Sequence, residues 1–288
     1  MKIVVNITAW RRVDYLQQTL SALKKCYNFN QFTYRVIVDG GYPEKQKDIQ
    51  SMLAKLDFEC DLILHPNNLG CAGNVGYSFI SSFDEHSADA VIMLEDDTVP
   101  SKDFLVYMQD MLEKYQHDEN IWNISAYRKL GRCKIGNIIR NFSKTKVVSS
   151  LRRLCVGDPS VVFVRDKFTS WGWGMWKRNR LEIGNNWFGI NWNGKNGKTE
   201  LNCPKGEEFL EYVEISNNGS WAWPMSMYWK GSRKEIAPLV GRVQNIGARD
   251  GKFCPDGEWH RKNHYSEIWM GCEYHTPKDS YEWKLPYN

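Results

Sequence analysis

Three consecutive carboxylates, Glu95-Asp96-Asp97, follow the apolar run "AVIML". Like charges repel one another, so such a run after a buried strand indicates that something neutralises it. One or two carboxylates, completed by water and phosphate oxygens, are the usual protein ligands of Mg²⁺ and Mn²⁺. The sequence therefore predicts a Mn²⁺ or Mg²⁺ site that neutralises a diphosphate leaving group. The alternative is that Asp97 and Thr98 only cap a turn.

Other chemistry-bearing patterns fit less well. "GINWNGKN" has P-loop spacing, but Asn196 stands where a Mg²⁺-binding Ser or Thr is needed. "GCAGNVG" differs from the dinucleotide fingerprint, which argues against a Rossmann dehydrogenase, and its glycines suit a close backbone approach near a ligand. A zinc site is disfavoured because the late cysteine and histidine residues have no familiar ligand spacing. These residues are Cys254, His260, His264, Cys272 and His275.

The elements that must position these residues alternate between strand and helix. Hydrophobic periodicity predicts strands at 2–7, 34–38, 61–64 and 88–94, and helices that bear apolar faces after the first, second and fourth of them. Such alternation predicts an α/β fold with right-handed βαβ units and a mostly parallel sheet flanked by helices. Ligands bind beyond the carboxyl ends of such strands. Residues 8–12, Asp39 and the acidic triplet all fall at that edge.

The second half of the chain is rich in tryptophan. Eleven of the 13 tryptophans lie at or after Trp171, and they occur with Gly and Asn, as in "SWGWGMW" and "SWAWPMSMYW". Sugars stack their C–H faces on aromatic rings and bind fixed donors and acceptors through their hydroxyls. A carbohydrate-binding cleft is therefore predicted here, against the alternative that the tryptophans fill a core.

Charge is unevenly distributed along the 288 residues. The formal net charge of +4 does not argue for nucleic acid, and none is expected as a partner. Residues 120–157 contain no Asp or Glu but nine basic residues, which suits either a solvated loop or a phosphate-bearing or membrane-surface partner. We expect neither a leader peptide nor a membrane-spanning segment, and we expect the eight cysteines to be free thiols. Together these expectations predict a cytoplasmic protein. Peripheral contact with a membrane surface is compatible with this prediction.

The ordered set of motifs resembles the GT-A glycosyltransferases, which use nucleotide sugars and carry an acidic metal motif called DXD. The Glu-Asp-Asp form resembles that of the N-acetylglucosaminyltransferase I type and related bacterial sugar transferases. "IVVNITAWRR", "VIVDGG", "IWNISAYR", "VVFVRDKFTSWGWGMWKR" and "IAPLVGRVQNIGARDG" resemble successive family segments. The resemblance implies one GT-A domain over 1–288, with a donor half at 1–127, a basic loop region at 128–157 and an acceptor half at 158–288.

The resemblance also implies roles for individual residues. Asp97 and Asp96 would bind the metal, Glu95 and Asp96 would orient the ribose, water and sugar, and residues 243–247 would cover the diphosphate. His275 is a further candidate ligand, as a late histidine is in some members. The implied donor-binding residues are Thr8, Ala9, Arg11, Asp39, Gly40, Glu95, Asp96, Val243 and Asn245. The implied acceptor-binding residues are Trp171, Trp173, Trp221 and Trp223.

One position departs from the family. Inverting members place their catalytic Asp in a Trp-Asp segment that this chain matches at Trp221-Ala222. Ala222 cannot accept a proton, so Asp158, Glu211 and Glu214 are the candidate bases. The expected function is metal-dependent transfer, inverting by expectation, from a nucleotide diphosphate sugar, UDP-sugars favoured, to a hydroxyl of a glycan or glycoconjugate. A lipid-linked acceptor, a retaining reaction and a catalytically inactive carbohydrate-binding protein remain open.

Overall fold

The structure is a computed structural model. It describes residues 1–128, 160, 162–165, 168–183, 186–187, 190–191, 233–249, 254 and 256–263. The predicted basic loop region at 128–157 therefore lies outside the described residues except for Arg128.

Twelve strands are present in the described ranges, together with six α-helices and a 3₁₀ turn at Phe29–Gln31. The strands are β1 Ile3–Ala9, β2 Thr33–Val38, β3 Asp61–Leu64, β4 Ala90–Glu95, β5 Thr98–Pro100, β6 Ile121–Ser125, β7 Val162–Arg165, β8 Trp173–Trp176, β9 Asn186–Trp187, β10 Ile190–Asn191, β11 Lys234–Pro238 and β12 Val243–Asn245. The helices are α1 Val13–Leu23, α2 Pro43–Leu53, α3 Gly70–Asp84, α4 Phe104–Lys114, α5 Lys177–Ile183 and α6 Gly257–Asn263.

Eight strands of the described part of the chain form the central sheet in the order β3-β2-β1-β4-β8-β6-β11-β7. The pairs β3/β2, β2/β1, β1/β4 and β6/β11 are parallel, and β8 and β7 run antiparallel to their neighbours. Six of the eight strands therefore point the same way. The predicted α/β class with a mostly parallel sheet is confirmed.

Helices cover both faces of this sheet because its strands direct apolar side chains alternately to each face. Successive residues of β1 and β4 illustrate the pattern. Val5 and Ile92 join one core with α1, α2 and α4, whereas Val4 and Val91 join a second core with α3. The burial of β4 on both faces agrees with its continuous apolar sequence. Apolar burial of this kind, about 25 cal/mol per Å², is the main force that holds the helices on the sheet.

A separate two-stranded sheet places the late part of the chain at the acidic triplet. The strands β5 and β12 pair antiparallel, with Asn245 opposite Thr98. This pairing brings a segment from late in the chain against the turn that follows β4.

Two sequence-based expectations concern the chain as a whole. No helix in the described part of the chain has the length and apolarity needed to cross a membrane. Four of the eight cysteines lie in the described ranges, and all four are free thiols, as predicted for them. They are Cys26, Cys60, Cys71 and Cys254.

Candidate functional site

The carboxyl ends of three adjacent strands bring the predicted donor-site residues to one edge of the sheet. In the parallel register, Thr8 lies opposite both Ile37 and Glu95, and Ala9 lies opposite Val38. Asp39 and the acidic triplet therefore begin the loops that leave the same edge. Thr8 is buried, and its hydroxyl donates to the carbonyl of Leu94 at 3.3 Å, so it fixes the start of the acidic turn.

Arg12, in the loop between β1 and α1, contacts two carboxylates of the triplet. Its Nη1 lies 2.8 Å from Asp97 Oδ2, its Nε lies 3.3 Å from Asp96 Oδ2, and its Nη2 donates to Asp96 Oδ1. The guanidinium also lies 5.3 Å from the centre of the Tyr15 ring. A planar fork of this kind suits two neighbouring carboxylates better than an ammonium group does.

The closing segment, residues 245–249, lies against Asp97 as well. Asn245 Nδ2 donates to Asp97 Oδ1 at 3.2 Å, and the backbone N–H of Ile246 donates to the Asp97 carbonyl at 2.8 Å. A Cβ on Gly247 would lie 2.1 Å from Asp97 Oδ2, so this position needs glycine for the close approach. Arg249 then ties the segment to α1, because its Nη2 lies 3.0 Å from Asp14 Oδ2.

His260, on α6, completes this network. One of its ring nitrogens, Nε2, lies 2.8 Å from Asn245 Oδ1, and the N–H of Gly247 donates to the same oxygen at 3.0 Å. Because the Asn245 amide group donates to Asp97, its oxygen must accept from both partners, which assigns the proton of neutral His260 to Nε2. Burial lowers the pKa of His260, although the nearby Asp97 charge acts in the opposite direction.

Among the described side chains, Arg12 is the cation in contact with Asp96 and Asp97 of the triplet. Burial, together with Asp97 and Asp96, raises the pKa of Glu95 to about 8, and Arg12 acts against this rise. Burial also raises the pKa of Asp96 to about 6, despite the opposing effect of Arg12. Burial by itself would lower the pKa of Arg12, but the two aspartates outweigh it and raise that pKa. Three carboxyl groups beside one guanidinium leave room for further positive charge.

This donor set fits a hard divalent cation in part. Within the described residues, no three His, Cys, Asp or Glu side chains converge as a ready ligand set. Asp97 and Asp96 offer carboxylate oxygens, which Mg²⁺ and Mn²⁺ prefer, and Mg²⁺ commonly binds through one or two carboxylates plus substrate phosphates and water. The residues present therefore fit a metal ion that arrives with a phosphate-bearing ligand.

Asp39 forms a second polar centre at this edge. Its Oδ1 accepts the backbone N–H groups of Gly40 at 2.9 Å and Leu69 at 2.7 Å. Burial raises the pKa of Asp39, and these backbone hydrogen bonds oppose the rise. Gly40 packs directly on the backbone of Asn67, where a Cβ would come within 2.4 Å of the carbonyl carbon. The loops after β2 and β3 are thereby held together around one carboxylate.

Arg11 lies beside this second centre. Its guanidinium stacks 4.5 Å from the centre of the Trp10 ring, and its Nη1 lies 3.4 Å from the Tyr42 hydroxyl. The Trp10 indole N–H donates to the carbonyl of Gly40 at 3.0 Å. Arg11 and Arg12 are adjacent in sequence, but Arg11 lies beside the Asp39 centre and Arg12 contacts the acidic triplet.

The two described tryptophans of the predicted acceptor set differ in exposure. Trp171 is partly exposed, and its ring meets the Tyr127 ring edge-on at 4.7 Å. Trp173 is 1% exposed, because it lies in β8 and packs against Phe79 and Phe168 in the core. The structure therefore encloses the Trp173 side chain in the core and leaves Trp171 partly exposed, and an acceptor-binding role for either stays a prediction.

Val243, predicted to cover the diphosphate, is fully buried and packs against Gly172, whose φ is +61°. It supports the site from within the core, and the closing segment after it makes the contact with Asp97. Several predicted residues lie outside the described part of the chain, so their roles stay predictions. They are Asp158, Glu211, Glu214, Trp221, Trp223 and His275.

Sequence reasoning assigns no role to Arg12 or His260 and does not foresee the contact between Gly247 and Asp97. Arg12 adjoins Arg11, and no pattern separates a guanidinium that faces carboxylates from one that stacks on aromatic rings. His260 falls among late cysteines and histidines that lack ligand spacing. Gly247 follows Asn245 by two residues, and "NIG" after an apolar strand could have indicated a close backbone approach.

Residues 4–132 match the family model Glycosyl transferase family 2. This segment contains β1 to β6 and all three carboxylates of the triplet, so the predicted glycosyltransferase class is supported over the residues predicted to bind the donor. No curated protein matches the chain. The likeness to an N-acetylglucosaminyltransferase I type in particular stays a prediction.

Three solved structures share distant structural similarity with the chain. The mannosyltransferase PcManGT from Pyrobaculum calidifontis, in complex with GDP-Man and Mn²⁺, is 11% identical, with a TM-score of 0.44 over 64% of this chain and 46% of its own. Glucosyl-3-phosphoglycerate synthase from Mycobacterium tuberculosis, in complex with Mg²⁺ and UDP, is 11% identical, with a TM-score of 0.35 over 62% and 57%. TarS from S. aureus is 14% identical, with a TM-score of 0.35 over 46% and 23%. The chain spans less than two thirds of the length of each.

Proposed function

We propose that this protein is a metal-dependent glycosyltransferase that moves a sugar from a nucleotide diphosphate sugar to a hydroxyl group of a glycan or glycoconjugate. The proposal rests on the contacts that Asn245 and Gly247 of the closing segment make with Asp97 in the buried acidic turn after β4. The match to the Glycosyl transferase family 2 model covers the same acidic turn. A lone turn of three acids would have no need of such a closing segment.

The donor would lie along the carboxyl edge of β2, β1 and β4. Asp39, held between the loops after β2 and β3, is placed to accept hydrogen bonds from a ribose or a base, and Arg11 stands beside it. Uridine is the favoured base because its imide N–H can donate to a carboxylate. The acidic turn, at the end of β4 on the other side of β1, would face the diphosphate.

Asp97 and Asp96 would hold Mn²⁺ or Mg²⁺ at the diphosphate. The ion would supply Lewis-acid stabilisation of the charge that develops on the leaving nucleotide diphosphate. Asn245 and the backbone at Gly247 orient Asp97, and His260 fixes the amide of Asn245. These groups are held by packing before substrate arrives, which is the condition for electrostatic stabilisation without reorganisation.

The reaction is proposed to invert the anomeric centre by in-line attack of the acceptor hydroxyl. The base that takes the acceptor proton is proposed to be Asp158, Glu211 or Glu214, since Ala222 cannot do so. Trp171 stands beside Tyr127 and is the described candidate for stacking on the acceptor sugar. A lipid-linked acceptor would suit the basic residues at 128–153.

The proposal is tested by release of nucleotide diphosphate from a panel of UDP- and GDP-sugars, with and without Mn²⁺. Wild type is compared with Asp97→Asn, which keeps the size of the side chain and removes its charge. Asp118→Asn is the matched control, because Asp118 is partly exposed and lies in the turn before β6, at the opposite edge of the sheet. We expect turnover of one donor class that requires both Mn²⁺ and Asp97 and is unaffected at Asp118.

A binding-only protein would give a different result. Donor sugars or free glycans would stabilise the chain against heat, but no nucleotide diphosphate would be released and Asp97→Asn would leave glycan binding unchanged. Absence of both donor binding and turnover would contradict the proposed function as a whole.

A further inference from the structure

Arg12 contacts the two aspartates of the triplet so closely that a metal ion must compete with its guanidinium for their oxygens. Its three nitrogen contacts cover both oxygens of Asp96 and the Oδ2 atom of Asp97. The remaining Oδ1 atom of Asp97 accepts from Asn245. Every oxygen of the two proposed metal ligands thus already has a partner within this chain.

Without a bound ligand, packing holds the Arg12 guanidinium against the two aspartates. The Arg12 side chain is 16% exposed, and the carboxylates that it contacts are 4% exposed at Asp96 and 8% at Asp97. The backbone carbonyl of Arg12 accepts the N–H of Leu16 at the start of α1. A Cβ at Gly247 would lie 3.2 Å from Nη1, so the closing segment also limits its movement.

We propose that Arg12 is an internal counter-ion that keeps divalent metal out of the acidic turn until a nucleoside diphosphate group arrives. The inference rests on the proposed function, since it concerns how that site loads. A phosphate group offers the guanidinium a second partner, because arginine forks bind phosphate and carboxylate alike. Movement of Arg12 from the aspartates to the diphosphate frees their oxygens for the metal. Metal and donor therefore load together, and the metal alone binds poorly.

The charges decide the direction of this effect. Without Arg12, three neighbouring carboxyl groups share a largely buried turn with no cation in contact with Asp96 or Asp97 among the described side chains. Such a cluster either takes up protons or gains affinity for a cation. Loss of the guanidinium therefore strengthens metal binding by the protein alone, whereas loss of an ordinary metal-supporting residue would weaken it.

The test is a Mn²⁺ titration of the full chain followed by electron paramagnetic resonance, with and without UDP, which has no sugar to transfer. We expect Arg12→Gln to bind Mn²⁺ at least about tenfold more tightly than wild type when UDP is absent. UDP should tighten Mn²⁺ binding strongly in wild type and only slightly in Arg12→Gln. Arg180→Gln removes the same charge on α5, where the guanidinium pairs with Asp84 at the C-terminal end of α3, and should bind Mn²⁺ without UDP as wild type does.

Arg12→Lys covers the case in which Arg12→Gln does not fold, which circular dichroism would reveal. A lysine ammonium cannot span both aspartates, so this variant should bind Mn²⁺ more tightly than wild type without UDP, though less tightly than Arg12→Gln. Equal or weaker Mn²⁺ binding by the folded variants overturns the inference. If wild type does not bind Mn²⁺ even with UDP, the metal dependence in the proposed function is contradicted. The comparison of Mn²⁺ binding by wild type and the Arg12 variants without UDP still tests the role of Arg12.

Discussion

Removal of the Asn245 side chain tests the closing network most directly. This amide is 3% exposed and makes three hydrogen bonds, to Asp97 Oδ1, to the N–H of Gly247 and to the His260 ring. Asn245→Ala deletes all three and leaves a charged acceptor and two donors without that partner. The acidic turn and the closing segment are therefore perturbed together by one truncation.

The expected loss of stability follows from those three bonds. A neutral hydrogen bond contributes about 0.5–1.5 kcal/mol, and one to a charged group contributes about 1.5–3 kcal/mol. Water entering the small space left behind would recover part of this, because a bridging water replaces a direct bond nearly as well in enthalpy. We therefore expect Asn245→Ala to lower the free energy of unfolding by about 2–4 kcal/mol.

The assay is urea unfolding followed by tryptophan fluorescence, together with UDP binding in the presence of Mn²⁺. Asn120→Ala is the matched control, because Asn120 is exposed and its side-chain amide donates within its own turn, to Asp118. This control should change the free energy of unfolding by less than about 0.5 kcal/mol. Asn245→Asp keeps the oxygen acceptor but sets a second negative charge beside Asp97, so it should weaken UDP binding without metal more than with metal.

An Asn245→Ala variant whose free energy of unfolding lies within about 0.5 kcal/mol of wild type, and which binds UDP with Mn²⁺ equally well, would contradict this expectation. The three groups would then find other partners at no cost, and the closing segment would not depend on this amide. A loss of stability with unchanged UDP binding would contradict the functional half alone, because it would make the network a purely structural one.

Three further outcomes are expected. Gly247→Ala places a Cβ against the Asp97 carboxylate that Arg12 contacts. This overpacking should lower the free energy of unfolding by about 1–3 kcal/mol and weaken UDP binding measured by calorimetry. Gly257→Ala, which has open space around its Cβ, should change neither quantity. Because burial raises the pKa of Asp39, this group favours folding below its unfolded pKa, and the contribution is lost as the pH rises through its folded pKa. The same rise means that Asp39 takes up its proton at a higher pH than an ordinary aspartate does and then no longer accepts hydrogen bonds from UDP. UDP binding should therefore weaken as the pH is lowered, and Asp39→Asn should remove that pH dependence. Chelation of divalent metal by EDTA should abolish the rise in melting temperature that a donor sugar produces, and a rise that survives chelation would contradict metal dependence.

Much of the fold could be predicted from local patterns. The predicted strand at 61–64 matches β3, and the other early strands and helices differ from the structure by a few residues at their ends. The first helix begins at Val13, and Asp14 lies in its first turn without a side-chain cap. Such boundaries depend on backbone geometry that the periodicity of side chains does not encode.

That β4 is a buried strand ending in carboxylates can be predicted from the chain alone, because burial follows from a continuous apolar run and the strand ends follow from the limits of that run. The position of Asp39 at the same sheet edge is likewise predictable, since parallel strands align their carboxyl ends. The partners of those acids, in contrast, depend on how the whole chain folds. Arg12 is 84 residues from Asp96, and Asn245 is 148 residues from Asp97. Contacts over such separations arise from sheet order and the β5/β12 pairing, and they leave no periodic signal in the chain.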